Sequence, residues 1–488
     1  MSEPGLHVPR RAAVEPSPHE TAILARGTRR VLYVLALIAF CVMVGLAAIL
    51  TKPVLILGAV VGIGAVIAIL ARPYLGLLLY TAVDLLRPGE LYPPLAALRL
   101  ERTVAVVALG AMYFEMYRRE GKLLFDRSRQ TLWYMLFLGA VALSVPGSYW
   151  TFFSTNIFVD LLKLFAYYLM IVHMARTRGL VRAWVWTYMV LILYMGQSSL
   201  RSFYMGGGVF AQGIERVRGL TSMGSDPNSL ATTLGSALGI FLLAGLRDRS
   251  RWGRMVSFGG VVLLTWTISL TGSRGGAIAL LALLVWLWWR SRHRLITGLA
   301  GIVLIVGIYQ VLPAPYQERY ASIGRSELDA SSEGRVEAWK KGLRMVTDRP
   351  LFGVGAGCFG FANAEAYSTA NARSYLNAHN LFIQLFAETG LVGGVTFLGL
   401  LATLILTNRR AARLFRERGS AWRFEIGILD GVMAGLVFLL VASLFGHSLY
   451  RSTWYVYAGI GLALYRLAID TPPVEGEARG SEGEGRSH

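Results

Sequence analysis

The chain has 488 residues, of which 55% are hydrophobic and only 16% charged, with a mean hydropathy of +0.51; so large an apolar share excludes an ordinary soluble domain and implies a polytopic membrane protein. The formal net charge of +19 would suggest nucleic acid as the partner of a soluble protein. Here Arg and Lys gather in short segments between apolar runs, as in loops facing the cytoplasm, and nucleic acid is the poorer explanation.

Residues 1–30 combine Pro4, Pro9, Pro16 and Pro18 with Arg10, Arg11, Arg26, Arg29 and Arg30, too few apolar groups to build a core. An apolar run over 31–50 is followed, after Thr51-Lys52-Pro53, by a second, so the first reads as a retained anchor and not a cleaved signal. Runs of spanning length lie near 53–71, 101–117, 130–147, 156–175, 183–199, 226–246, 255–271, 275–290, 295–312, 380–407, 427–446 and 452–468. A shorter run at 74–86 is decided by parity: the basic tail and the basic loops 118–129 and 176–182 share one side only if it also crosses. The expected fold class is all-α, a polytopic transmembrane helix bundle of about fourteen spans, with about twelve as the alternative, and a long, partly helical extracytoplasmic loop.

That count divides the chain into a disordered basic cytoplasmic tail (1–30), the first part of the bundle (31–312), an extracytoplasmic or periplasmic loop (313–379), the last part of the bundle (380–468) and a disordered cytoplasmic tail (469–488). The basic segments 247–251, 290–294 and 408–423 fall on the cytoplasmic side. The two cysteines, Cys41 in an apolar run and Cys358 in the long loop, make neither a disulfide framework nor a metal site.

The opposite side carries residues 198–225 with Arg201, Arg216 and Arg218, the turn Gly272-Ser273-Arg274-Gly275-Gly276, the loop ending in His379-Asn380, and the turn 447–451. Asp226-Pro227 is a helix start, with Asp226 as N-cap and Pro227 in the first turn, and a helix N-terminus beside arginines suits an anion. Taken alone, such a segment is more often a capped helix with solvated arginines. Arg274 stands between two long apolar runs, where a guanidinium is costly unless it snorkels, pairs or binds something; its flanking glycines leave it open to a bulky ligand. A lone His is more often structural than catalytic, but His379 has the ordinary pKa for proton transfer near neutrality, and cations nearby would keep it neutral, the form a base needs.

Within the loop, Gly355-Ala356-Gly357-Cys358-Phe359-Gly360 satisfies a dinucleotide-binding pattern, but no strand precedes it and no acidic ribose ligand follows, so a tight turn is the better reading. Residues 335–345 read as an amphipathic helix whose Val336, Trp339 and Leu343, with Val346, lie against the bundle or the interface. Glu327-Leu328-Asp329 is the nearest approach to a metal-holding Asp-x-Asp pair and reads as a solvated turn.

Arg218-Gly219 ahead of Asp226-Pro227-Asn228, Ser273-Arg274-Gly275, Arg335 with Trp339, Pro350-Leu351-Phe352-Gly353-Val354-Gly355, and His379-Asn380 followed by Glu388, Gly390 and Gly393 resemble the bacterial O-antigen ligase and O-antigen polymerase superfamily. The resemblance covers about residues 183–468. It implies a multi-pass enzyme of the bacterial inner membrane that moves a glycan from an undecaprenyl diphosphate carrier to an acceptor hydroxyl on the periplasmic face. In that setting His379 would be the general base and Arg218 and Arg274 would stabilise the diphosphate leaving group, with Arg216, Arg335, Arg201 and Asn380 binding substrate. No cofactor and no metal are expected. The implied partners are the lipid-linked donor, a glycan, lipid A core or protein hydroxyl acceptor, and membrane lipid. Direct attack would invert the anomeric carbon, and a span count above the usual dozen leans towards polymerases or O-linking transferases. The alternative is a transporter or flippase for a lipid-linked sugar, which would place charges near the midplane and show repeated halves.

Overall fold

The structure is a computed structural model and describes residues 53–222, 224–323, 330–368 and 375–471. The two expected tails, the apolar run 31–50 and the Glu327-Leu328-Asp329 turn lie outside the described residues, apart from the short stretch 469–471. The described residues divide into two compact units at Ala68/Ile69, near the end of helix α1 (Pro53–Ala71).

The second unit is helical almost throughout: α2 (Pro73–Leu86), α3 (Leu100–Glu120), α4 (Arg129–Ser144), α5 (Thr151–Met174), α6 (Arg178–Ser202), α7 (Pro227–Leu243), α8 (Arg251–Leu270), α9 (Arg274–Arg290) and α10 (Arg294–Val311) precede the polar interruption. Within the interruption come α11 (Ala314–Ala321), α12 (Ala330–Asp348) and α13 (Phe359–Glu365), and after it α14 (Leu381–Glu417), α15 (Arg423–Ser443) and α16 (Ser452–Asp470). Starts are set by side chains that accept the orphan N–H groups of the first turn: Ser128 from Thr131, Thr177 from Leu180, Asp226 from Ser229, Ser250 from Gly253, Ser273 from Gly276 and Asn380 from Phe382 and Ile383. One feature was not expected, a hairpin of β1 (Val209–Ala211) and β2 (Ile214–Arg216) that pairs Val209 with Arg216. Its Gln212-Gly213 turn has φ of 56° and 84°, as a two-residue turn of this hand requires.

Every apolar run expected within the described residues is helical. Seven helices among those residues are long and apolar enough to cross a membrane, from Thr151–Met174 to Ser420–Ser443, against the about fourteen spans counted from the sequence. Length accounts for part of the difference: α4 and α9 have 16 and 17 residues. An all-α, multi-pass bundle stands.

At the centre α7 and α15 run antiparallel in near backbone contact. A Cβ on Gly239 would lie 2.3 Å from the Gly431 carbonyl oxygen, and one on Gly427 2.2 Å from that of Leu243, so only small residues permit this approach. The pairing brings the N-terminus of α7 beside the C-terminus of α15. At its other end, Asp430 meets Arg247 (3.2 Å), Arg290 (3.6 Å) and Arg416 (2.7 Å). The three basic segments that parity assigned to one side therefore share one end of the bundle.

The interruption builds a small core of its own from Ala338, Met345, Val354, Phe359 and Ala362, closed by Ala378 and Ala387. Helix α12 presents Ala338, Gly342 and Met345 to it, and Leu343, expected on the packed face, is 56% exposed. Small side chains win that face because Gly342 lies against Ile383 and Phe359, with a Cβ there 2.5 Å from the first. Helix α14 breaks at Gly390 (φ 62°, ψ −165°). The break frees backbone groups that residues 350–355 take up: Val354 N–H donates to Ala387, Gly355 to Glu388, and Leu391 to Pro350.

Candidate functional site

The N-termini of α7, α9 and α14 meet the C-terminus of α15 at one end of the bundle. Gly275 packs on Phe445 and Gly276 on Ala231, while the Asn380 amide donates to the Leu444 carbonyl. Three helix N-termini thus point partial positive charge at one spot. The spot is a cavity of about 30 Å³ lined by Asp226, Arg274, Arg319, Arg335, His379, His447 and Arg451 among others, with room for a water or two. Its charged lining is four arginines against one aspartate, an anion-attracting balance.

His379 is fixed from both sides in the chain. The Trp339 indole donates to the Ala378 carbonyl at 2.7 Å, and Asn380 caps α14, accepting from Phe382 and Ile383 at 3.0 and 3.2 Å. Between them His379 takes a left-handed φ of 47°, a conformation that costs a non-glycine residue on the order of 1 kcal/mol and persists only where the surroundings impose it. Its imidazole stands edge to face with that of His447, centroids 5.2 Å apart. Burial, with His447 and Arg335 nearby, lowers the pKa of His379 from 6.5 to about 4, and Asp226 opposes the shift. The ring is therefore neutral at physiological pH.

Arg274 is the first residue of α9, behind the Ser273 cap, and its Nη1 lies 3.5 Å from Ser322 Oγ. Arg319 donates through Nε to the Gly272 carbonyl at 2.6 Å and is hydrogen bonded to Gln212. Arg451 precedes α16 and donates to Thr233 Oγ1 at 2.8 Å; burial lowers its pKa to about 10, with Asp226 opposing. Beneath this floor Glu388 accepts from Gly357 N–H (2.9 Å), Phe359 N–H (3.4 Å) and Tyr450 Oη–H (2.6 Å). One buried carboxylate so ties the glycine turn to the segment that carries His447 and Arg451.

Of the residues singled out in the sequence, His379, Arg274 and Arg335 share the cavity wall. Arg216 is buried and committed, with Nε to the Thr271 carbonyl at 2.6 Å, Nη1 to Gln212 at 3.3 Å and Nη2 to Asn228 at 3.1 Å. Arg218 and Arg201 are exposed and do not line this cavity, and Asn380 serves as cap and tie. Arg319, His447 and Arg451 were not singled out. The turn 447–451 stood on the expected side, but a His and an Arg in a short turn carry no spacing signal, and Arg319 sat in an unremarkable amphipathic stretch. Among the described residues no group of three or more His, Cys, Asp or Glu is arranged to hold a metal.

The family model described as O-antigen ligase matches residues 259–398, a segment that runs from α8 into α14 and includes Arg274, Arg319, Arg335 and His379. No curated protein matches the chain. Residues 259–398 of this multi-pass membrane protein are thus similar to the O-antigen ligase family.

Proposed function

We propose that the protein is a glycosyltransferase that moves a glycan from an undecaprenyl diphosphate carrier to an acceptor hydroxyl, as a polymerase or ligase of bacterial surface polysaccharide. The observation that carries this reading is the cavity wall shared by His379, Arg274 and Arg335 at converging helix N-termini, within a segment that matches the O-antigen ligase family. The arginine-rich end around Asp430 suits the cytoplasm. In this reading the cavity end faces the periplasm of the inner membrane, with 313–379 as the periplasmic loop between bundle parts 31–312 and 380–468 and with both tails, 1–30 and 469–488, inside.

The acceptor oxygen attacks the anomeric carbon while the bond from that carbon to the diphosphate oxygen breaks. The hydroxyl proton passes to His379 and the bonding pair leaves with the diphosphate. A single displacement inverts the configuration. Arg274 and Arg335 receive the developing charge, as planar guanidinium groups bind phosphate in bidentate fashion. A neutral His379 is available as a base, and an arriving diphosphate raises its pKa from about 4 towards working pH, because negative charge favours the protonated ring. Arg218 and Arg201, both exposed, draw the anionic headgroup in, while Arg216 and Asn380 hold the frame. The diphosphate is larger than the cavity, so arginine side chains part to admit it.

The carrier's hydrocarbon has a matching place. An apolar groove of about 250 Å³ runs between α9 and α10, lined by Ile278, Leu281, Leu304 and Ile308, and ends at Tyr320, next in sequence to Arg319 of the cavity. A polyprenyl chain in this groove sets its headgroup at the arginines. The reading is tested with the purified protein in nanodiscs, lipid-linked glycan extracted from the producing cell, and a labelled acceptor on one side only. Product without translocation supports the transferase; translocation without product supports a flippase and overturns it.

A further inference from the structure

A second and larger cavity, about 450 Å³, opens beside the first and shares Ser229, His447 and Arg451 with it. Its remaining charged wall comes from the N-terminal third, outside the segment that matches the family: Asp84, Arg87, Glu90, Glu101, Asp160 and Lys163. The charge balance is the reverse of that next door. Four carboxylates stand against two cations here, while three arginines face one aspartate there once the shared Arg451 is set aside.

The wall is built and not merely solvated. Lys163 bridges Glu101 (3.0 Å) and Asp160 (2.7 Å), and Glu90 pairs with Arg87 (3.0 Å) and accepts from Ser222 N–H and Oγ–H, both at 2.6 Å. Three buried atoms on the wall nevertheless have no hydrogen-bond partner among the described residues: Asp84 Oδ2, Arg87 Nε and Arg451 Nε. One acceptor and two donors so placed fit a ligand that carries hydroxyl groups, each of which both donates and accepts.

We infer that this cavity holds the acceptor, and that the acceptor end is a carbohydrate without phosphate groups. The inference rests on the transferase reading above. A hydroxyl presented from this side reaches His379 past His447, whose ring stands 5.2 Å from it. Phosphate is sorted to the arginine cavity, because carboxylates outnumber cations on this wall and an anion meets like charge here. The N-terminal third thereby sets acceptor specificity, and the arginine cavity the donor.

The test uses the full chain in nanodiscs and two photoreactive probes. One is the glycan released by mild acid from the lipid-linked pool of the producing cell, carrying a diazirine; the other is the same glycan bearing a phosphate monoester. The first labels peptides within 87–101 or 157–164, and the second labels them at least about tenfold less. Glu90→Gln with Asp160→Asn lowers labelling by the first probe about tenfold and leaves binding of undecaprenyl diphosphate unchanged. Should that double variant fail to accumulate, Ile157→Trp, which fills the cavity and keeps every charge, gives the same two results. Equal labelling by both probes, labelling elsewhere, or an equal loss of undecaprenyl diphosphate binding overturns the inference. Labelling here by a protein that transfers nothing sustains the cavity's assignment and counts against the transferase reading, so the two fail separately.

Discussion

His379 and His447 face each other edge to face, ring centroids 5.2 Å apart, one at the start of α14 and the other just after α15. Their approach depends on the glycine-mediated contact of α7 with α15 and on the tie from Asn380 to Leu444. His447 lines both the arginine-rich cavity and the carboxylate-rich one, and His379 lines the first; the proposed mechanism puts the base at this junction.

The pKa of His379, lowered to about 4 chiefly by burial, sets the pH dependence. In the free enzyme the base is lost only near that value, so kcat/KM stays level from about pH 8 to about pH 5 and then falls. The kcat profile, which reports the donor-bound enzyme, falls at a higher pH because the diphosphate raises the pKa. His447→Gln removes a neighbour that opposes protonation and moves the kcat/KM limb upward. Full pH-rate profiles check both shifts.

The same group affects stability. Its folded pKa lies below the unfolded 6.5, so the unfolded chain binds the proton first; the contribution is whole above about pH 6.5 and is lost as pH falls towards about 4. Between those limits the Tm of His379→Gln declines less than that of the unmodified protein, as thermal unfolding in detergent will show.

Replacing Arg274 or Arg335 by Ala lowers kcat about 10²- to 10³-fold, the usual loss for one fixed donor to a developing charge. Arg274→Lys recovers part of it, since a point charge remains but the bidentate fork is gone. Arg218→Ala, at an exposed position off the cavity wall, acts mainly on kcat/KM and its salt dependence. Steady-state kinetics at two ionic strengths separate these cases.

Gly390→Ala is expected to destabilise the fold by at least about 2 kcal/mol. The position has φ 62° and ψ −165°, and its Cβ would lie 2.3 Å from the Leu351 carbonyl carbon. Glu388→Gln sets an amide donor among N–H groups and the Tyr450 hydroxyl and costs about 1–3 kcal/mol. Thermal unfolding measures both; an unchanged Tm for Gly390→Ala would mean that residues 350–355 do not dock on the break.

On the transferase reading, chelator treatment is expected to leave turnover unchanged, because arginines take the role that a metal held by paired aspartates would otherwise fill. Recovery of lost activity by added divalent cation is the contrary result.

Much of this was legible in the sequence. Apolar runs became helices, Asp226-Pro227 became a capped start, and Arg274 and His379, whose segments parity assigns to one side, line one cavity. What stayed hidden depends on packing. Leu343 has the right spacing for a buried face, yet Gly342 decides which way α12 rolls, and a glycine adds nothing to an apolar pattern. Arg216 and Arg218 look equivalent in sequence, but Arg216 closes the hairpin strand and turns inward onto Thr271, while Arg218 lies past the strand's end and is exposed. Arg451 and His447 belong to the site through a close helix crossing and the buried Glu388, which no spacing along the chain encodes.

In the proposed mechanism His379 takes the acceptor proton while the arginines beside it hold the diphosphate. The most direct measurement is single-turnover transfer by His379→Ala in nanodiscs, alongside binding of undecaprenyl diphosphate to the same variant. Transfer is expected to fall by at least about 10²-fold with binding within about twofold of the unmodified protein. Transfer at the unmodified rate, or a loss of binding equal to the loss of transfer, would contradict the mechanism.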